Sequence, residues 1–95
     1  MWTVVEGDYE WDEQKAAQNL AKHGVTFPEA ILALEDLGAV TVADVVHHDR
    51  DVTFGLTPKG LLVVVSTERG ERTRIVSARK ATPHETRNYQ ATRTR

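Results

Sequence analysis

Residues 61–85, LLVVVSTERGERTRIVSARKATPHE, leave this chain few ways to fold. Leu61 to Val65 is continuously apolar and rich in β-branched residues, the pattern of a strand buried on both faces. Glu68-Arg69-Gly70-Glu71-Arg72 is a charged, glycine-containing turn, and Thr73 to Ala78 returns as the partner strand. Thr82-Pro83-His84-Glu85 then supplies an N-cap, a first-turn proline and an N3 glutamate, the composition of a capping box. The same segment carries Arg69, Arg72, Arg74, Arg79 and Lys80. A buried strand bordered by so many fixed cations suits a rigid floor that holds an anion.

The rest of the chain can be placed around this hairpin. A first strand is expected at Trp2–Val5 or at Tyr9–Trp11, with nothing in the sequence to decide between them. Asp12 reads as the N-cap of a helix over Glu13–His23, with Trp11 placed to staple onto Ala16. Lys22 and His23 complement the helix dipole at its end, and Gly24 fits the left-handed position that follows. Thr26-Phe27-Pro28-Glu29 is a second capping box, opening a helix whose apolar face is Phe27, Ala30, Ile31, Leu34 and Leu37 and which Gly38 stops. So short a connection predicts an αα-hairpin. Ala39 to Val46 is β-prone, as a strand or an extended connection, and Arg50 to Thr57 alternates as a strand before the turn Thr57-Pro58-Lys59-Gly60. A last helix runs from Pro83 to about Thr92, with Arg93-Thr94-Arg95 fraying. The predicted order is (β)-α-α-β-β-β-α, an antiparallel meander with segregated helices, hence an α+β class and a single domain over residues 1–95.

Composition narrows the function classes. No apolar run approaches the ~20 residues of a membrane span, and the N-terminus lacks the basic region of a signal peptide, so a cytoplasmic protein with no membrane partner is expected. Without cysteine there is neither a disulfide framework nor a thiolate metal site. The net charge of −2 conceals an asymmetry. Residues 1–36 hold eight acids against two lysines, whereas residues 61–95 hold eight bases against three acids. A local positive excess of this kind can bind phosphate, unless the two portions neutralise each other in the fold.

Several residues are candidates for chemistry. Lys15, Asn19, Lys22 and His23 fall at spacings of three and four, so they share one helical stripe; its plain reading is a solvated face. Strand alternation places Arg79 with Ile75 and Ser77, and Lys80 with Arg74, Val76 and Ala78. Arg79 sits where a strand end meets a helix N-terminus, itself attractive to phosphate; the alternative is an ion pair with an N-terminal acid. Glu68-Arg69 is either a turn ion pair or a carboxylate base beside a phosphate-binding guanidinium. His84, in the first turn of the last helix, is either a bystander or a proton donor. His47-His48-Asp49 invites a metal reading, but adjacent strand residues diverge and no further His or Cys completes the spacing, so a structural or surface role is expected. No phosphate-binding loop, dinucleotide fingerprint, zinc-protease helix or catalytic-triad order is present. Catalysis, if any, is then metal-free and cofactor-free work on a phosphodiester, for which RNA supplies its own 2′-OH nucleophile. The protein need add only a base, a guanidinium clamp and an acid.

Taken together, Tyr9-Glu10-Trp11-Asp12, Lys15, Asn19, Lys22-His23-Gly24-Val25-Thr26-Phe27 and Glu29-Ala30 resemble the N-terminal signature of the BrnT family. Thr67-Glu68-Arg69-Gly70 and Ile75-Val76-Ser77-Ala78-Arg79-Lys80-Ala81, continued by Glu85, Arg87 and Tyr89, resemble its C-terminal signature. The chain departs from the family where Gly60 is followed directly by Leu61 rather than by Arg, and where Ser66 stands in place of an aromatic. The resemblance implies a RelE-like fold: a small antiparallel β-sheet with an N-terminal αα-hairpin and a C-terminal helix. It also implies a ribonuclease toxin of a type II toxin–antitoxin pair that cleaves RNA and inhibits translation. The implied partner is a BrnA-like ribbon-helix-helix antitoxin in a two-to-two complex, through which alone DNA is bound. Carried onto this sequence, the matching positions give His23, Glu68, Arg69 and Arg79 as the expected catalytic residues, with Arg69 and Arg79 stabilising phosphate charge and Glu68 or His23 taking the 2′-OH proton. They give Lys15, Lys22 and Lys80 as RNA-holding; the neighbouring cation Arg74 is expected to hold RNA as well, all converging on one phosphate. The rivals are a non-catalytic module that binds RNA or the antitoxin on the same scaffold, and a metal-dependent nuclease built on His47, His48 and Asp49.

Overall fold

The computed structural model describes residues 2–93; Thr94 and Arg95, expected to fray, lie outside the described residues. Nine elements follow one another: β1 (Thr3–Glu6), β2 (Tyr9–Asp12), α1 (Glu13–His23), α2 (Phe27–Leu34), β3 (Val40–Ala43), β4 (Asp51–Thr57), β5 (Gly60–Arg69), β6 (Arg72–Lys80) and α3 (Pro83–Arg93). The α+β class therefore holds, but the expected order does not. Both candidate N-terminal strands form, as an antiparallel hairpin, and the β-prone segment after α2 contributes β3.

The sheet is mixed rather than an antiparallel meander. Its six strands lie in the order β1-β2-β6-β5-β4-β3, and the join between β2 and β6 is parallel. That join is short: Tyr9 is paired with Thr73 and Glu10 with Arg74, and the Thr73 N–H donates to the Asp8 carbonyl at 2.9 Å. Asp12 then caps α1, its carboxylate accepting from the Gln14 and Lys15 N–H groups, and the chain leaves the sheet. Beyond Arg74, one edge of β6 is consequently left without a strand.

α1 and α2 each pack chiefly on the sheet, α1 on β2 and β6 and α2 on β4, β5 and β6, rather than on one another as an αα-hairpin. The core they enclose holds Trp11, Val25, Phe27, Ala30 and Ala33 against Leu62, Val64, Ile75 and Ala78, with Trp11 edge-on to Phe27 at 5.9 Å. α2 lies so close to β4 that a Cβ on Gly55 would fall 1.9 Å from the Ala33 carbonyl oxygen. It ends at Leu34 instead of running to Leu37, which is fully exposed. α3 meets the opposite face, beside Val40 and Phe54, where Tyr89 is buried with its hydroxyl donating to Asp36 at 2.6 Å.

A bulge corrects the expected strand faces. The register pairs Val65 with Ser77 but Ser66 with Ile75, leaving Val76 as the extra residue. Ile75 and Ala78 are thereby both turned into the core, at 1% and 0% exposure. Arg79 shares the outer face with Ser77 and Arg74, not with Ile75, and Arg74 is parted from Lys80.

Candidate functional site

The α1 stripe is built by local rules. Three residues end the helix well: Lys22 and His23 in the last turn, and Gly24 at φ 70°, whose N–H donates to the Leu20 carbonyl. Asn19 in the middle of the stripe is not solvated as expected but 6% exposed, because the strandless edge of β6 lies against it. Its Nδ2 donates to the Ala78 carbonyl at 2.8 Å and to the Val25 carbonyl at 3.0 Å, and its Oδ1 accepts from the Ala78 N–H at 3.0 Å. The side-chain amide thus does for β6 what a seventh strand would do.

Around that anchor, Lys15, Lys22 and His23 line an open pocket of about 260 Å³ with Val76 and Ser77. The two lysines are exposed and His23 half-buried, and the side chains of the three make no hydrogen bond or ion pair among the described residues. Arg79 lies two residues beyond Ser77 on the same face, about 7 Å along the strand. Its guanidinium is held by Glu85 through two parallel bonds, Nη1 donating to Oε1 and Nη2 to Oε2, both at 2.8 Å. Glu85 also accepts from the Thr82 N–H and receives the Thr82 hydroxyl on its own N–H, completing the predicted capping box. The Arg79 guanidinium first, and the Thr82 N–H after it, hold the Glu85 carboxyl at about 2, and the same pairing raises Arg79.

The other expected residues lie elsewhere. Glu68 and Arg69 stand at the far end of the β5–β6 hairpin, Arg69 paired in register with Arg72, and Glu68 accepts from the Thr73 hydroxyl at 3.2 Å. Arg72 and Arg79 are seven positions apart on β6, so Arg69 and Arg79 are roughly 20 Å apart and cannot grip one phosphate. Arg74, midway, is ion-paired with Glu10 on β2. Lys80 is exposed on the helix-side face, the register partner of Leu62. Sequence reasoning missed Glu85 and Glu10 as the arginines' acids. Glu85 was legible as a capping residue, which hid its second role; Glu10 becomes Arg74's neighbour only through the parallel join.

His47, His48 and Asp49 lie in an exposed turn whose Asp44 accepts from the Val46 and His47 N–H groups, and the His48 ring is 3.1 Å from the Val45 carbonyl. Among the described residues no three His, Asp or Glu side chains converge on a point where a metal ion could sit. His84, exposed in the first turn of α3, has its ring 3.3 Å from the Asn88 amide. No helix of the described residues is long and apolar enough to cross a membrane.

What these groups offer chemically is an imidazole, two ammonium groups and a nearby guanidinium beside an open strand edge, with no carboxylate lining the pocket. Such a surface attracts a phosphodiester and can move a proton on it. The family model for the ribonuclease toxin BrnT of type II toxin–antitoxin systems matches residues 11–85, from the buried Trp11 to the Glu85 that holds Arg79. No curated protein matches the sequence.

Proposed function

The chain belongs to the BrnT family of ribonuclease toxins of type II toxin–antitoxin systems, and from that premise we propose that it cleaves RNA without a metal at the α1–β6 pocket. The observation that carries this reading is the meeting of Lys15, Lys22 and His23 with Ser77 on the open edge of β6, two residues from Arg79. In the proposed reaction His23 takes the proton from the ribose 2′-OH. The 2′-oxygen attacks phosphorus, Lys22 and Arg79 face the charge that develops on the phosphoryl oxygens, and the P–O5′ bond breaks as the departing oxygen takes a proton from water. Lys15 holds the backbone on one side, and Lys80, past Arg79, extends the track on the other. Glu68 and Arg69 stand too far off to share this phosphate, and Arg74 is committed to Glu10.

The biology follows the family: a cytoplasmic, single-domain toxin that stops translation and is silenced by a BrnA-like antitoxin, in a two-to-two complex that reaches DNA through the antitoxin. The test is incubation of the purified chain with RNA in EDTA. Cleavage to 2′,3′-cyclic phosphate ends supports the reading; cleavage only with added metal ends its metal-free part.

One observation favours a second reading, a module that binds RNA or antitoxin without cutting. Arg79 and Arg74, the two partly buried arginines of β6, are both occupied by carboxylates. Binding of RNA in the same assay with no cleavage supports that alternative.

A further inference from the structure

The sheet face beneath α2 continues past the helix end at Leu34, and the uncovered part is a pocket of about 190 Å³. Strand alternation sorts charge across this end of the sheet. Asp51, Ser66, Glu68 and Thr73 line the pocket, while Arg69, Arg72 and Arg74 alternate to the other face. At the rim, the Tyr9 hydroxyl donates to Glu35 at 3.2 Å, adding a further acid. On the floor, Thr41 and Thr53 hydroxyls are 2.9 Å apart and already satisfied.

Ser66 is different. It is 5% exposed, yet its hydroxyl has no hydrogen-bond partner among the described residues. No fully buried side-chain oxygen there lacks a partner, so the Ser66 Oγ must open onto the pocket. A hydroxyl this deep, left unmatched between two carboxylates, is set to accept from a ligand that brings N–H groups and positive charge. A phosphate is excluded by the carboxylates, and an RNA strand by the repulsion of its backbone. A planar guanidinium, with five donors in a fixed fork, matches two carboxylates and a hydroxyl better than the point charge of an ammonium.

We propose that this pocket receives an arginine side chain presented by a protein partner, with Asp51 and Glu68 as the charged walls and Ser66 as the acceptor at the floor. The proposal deepens the partner half of the functional reading above and rests on it only in that the partner is a protein. It makes the far end of the β5–β6 hairpin an interaction surface, separate from the cationic pocket at α1.

The experiment is an NMR titration of the isolated chain with N-acetylarginine amide, its neutral isostere N-acetylcitrulline amide, N-acetyllysine amide, and cytidine and guanosine. The expected result is saturable shifts of the Ser66, Thr53 and Thr73 amides with the arginine probe. Citrulline should bind at least about tenfold more weakly, and lysine more weakly than arginine. Glu68→Gln, at an exposed position that leaves the fold intact, should weaken the arginine probe several-fold, and Asp51→Asn with Glu68→Gln should abolish it. No saturable shift at these amides, equal binding of citrulline, preferential binding of a nucleoside, or an affinity unaffected by Glu68→Gln would each overturn the proposal. RNA cleavage is read in a separate assay, so failure here leaves the nuclease reading standing, and the converse.

Discussion

Asn19 on α1 holds Ala78 on β6 through both sides of one peptide-like pair, donating to its carbonyl at 2.8 Å and accepting from its N–H at 3.0 Å. The contact joins residues 59 positions apart and fixes the helix bearing Lys15, Lys22 and His23 against the strand bearing Ser77 and Arg79. Replacing Asn19 with Ala leaves buried backbone groups without partners. The expected loss is about 2–3 kcal/mol, a fall in Tm of roughly 10 °C or more. Asn19→Asp should not rescue it, because a carboxylate has no N–H for the Val25 and Ala78 carbonyls. Thermal unfolding of both variants checks this; a Tm within two degrees of wild type, taken as about the error, would remove Asn19 from this role.

Gly55 carries the second stability prediction. A methyl group there meets the Ala33 carbonyl at 1.9 Å, and backbone rather than a flexible side chain must yield. Gly55→Ala should cost about 2 kcal/mol or more by denaturant unfolding, although alanine suits a strand better than glycine does.

The Arg79–Glu85 pair predicts a pH dependence. The Glu85 carboxyl is held at about 2 in the folded chain against an ordinary value of 4.5. A depressed folded value means that the stabilisation is complete above about 4.5 and is lost as pH falls toward 2. Glu85→Gln keeps the helix cap but removes the charge, so it should be less stable than wild type at pH 7 and converge with it near pH 2. With the Arg79 side chain 41% exposed, solvent screening brings the expected difference at pH 7 to about 1 kcal/mol. The variant should still lose stability through Glu29, which Lys59 and the Thr26 cap also hold at about 2, so its curve is flattened rather than flat.

For cleavage, His23→Ala should reduce the rate by about 100-fold, the usual contribution of a positioned acid–base group. Arg79→Ala should reduce it at least about ten-fold, or 1.4 kcal/mol in barrier. Lys15→Ala and Lys22→Ala should weaken RNA binding and lower its salt dependence. Single-turnover rates and filter binding at several salt concentrations separate these effects; undiminished cleavage by Arg79→Ala would remove that guanidinium from the clamp.

Distance predicts how such losses combine. Arg69 and Arg79 are roughly 20 Å apart, so the double variant should show the sum of the single free-energy changes to within about 0.5 kcal/mol. Lys22 with His23, adjacent on α1, should depart from additivity. Strong coupling between Arg69 and Arg79 would argue for one shared phosphate.

Features governed by neighbours in the chain were legible without coordinates. The caps at Asp12, Thr26 and Thr82 and the exact bounds of α1 all rest on contacts within four residues. So did the hairpin of β5 and β6. What failed depended on distant partners. Asn19 has the spacing of a solvated stripe, and only the strandless edge of β6 buries it. The bulge at Val76 leaves no mark in composition, yet it moved Ile75 and Arg74 to the opposite faces from those expected. The four-residue strands β1 and β2 were too short to show a period. The single-phosphate cluster failed for the same reason: charge counts along a sequence do not reveal that a nine-residue strand holds its ends far apart.

The strand order β1-β2-β6-β5-β4-β3 has a consequence for the protein during its own synthesis. The ribosome emits the two outer hairpins first and the two central strands last, so a nascent chain ending near Thr57 has β1–β2 and β3–β4 with nothing between them. Asn19 has no Ala78 to hold, and Ser77 and Arg79 do not yet exist. On the proposed site, a chain stopped at that point lacks half of the pocket and should not cut RNA, so activity is expected only once the last third of the polypeptide has been made.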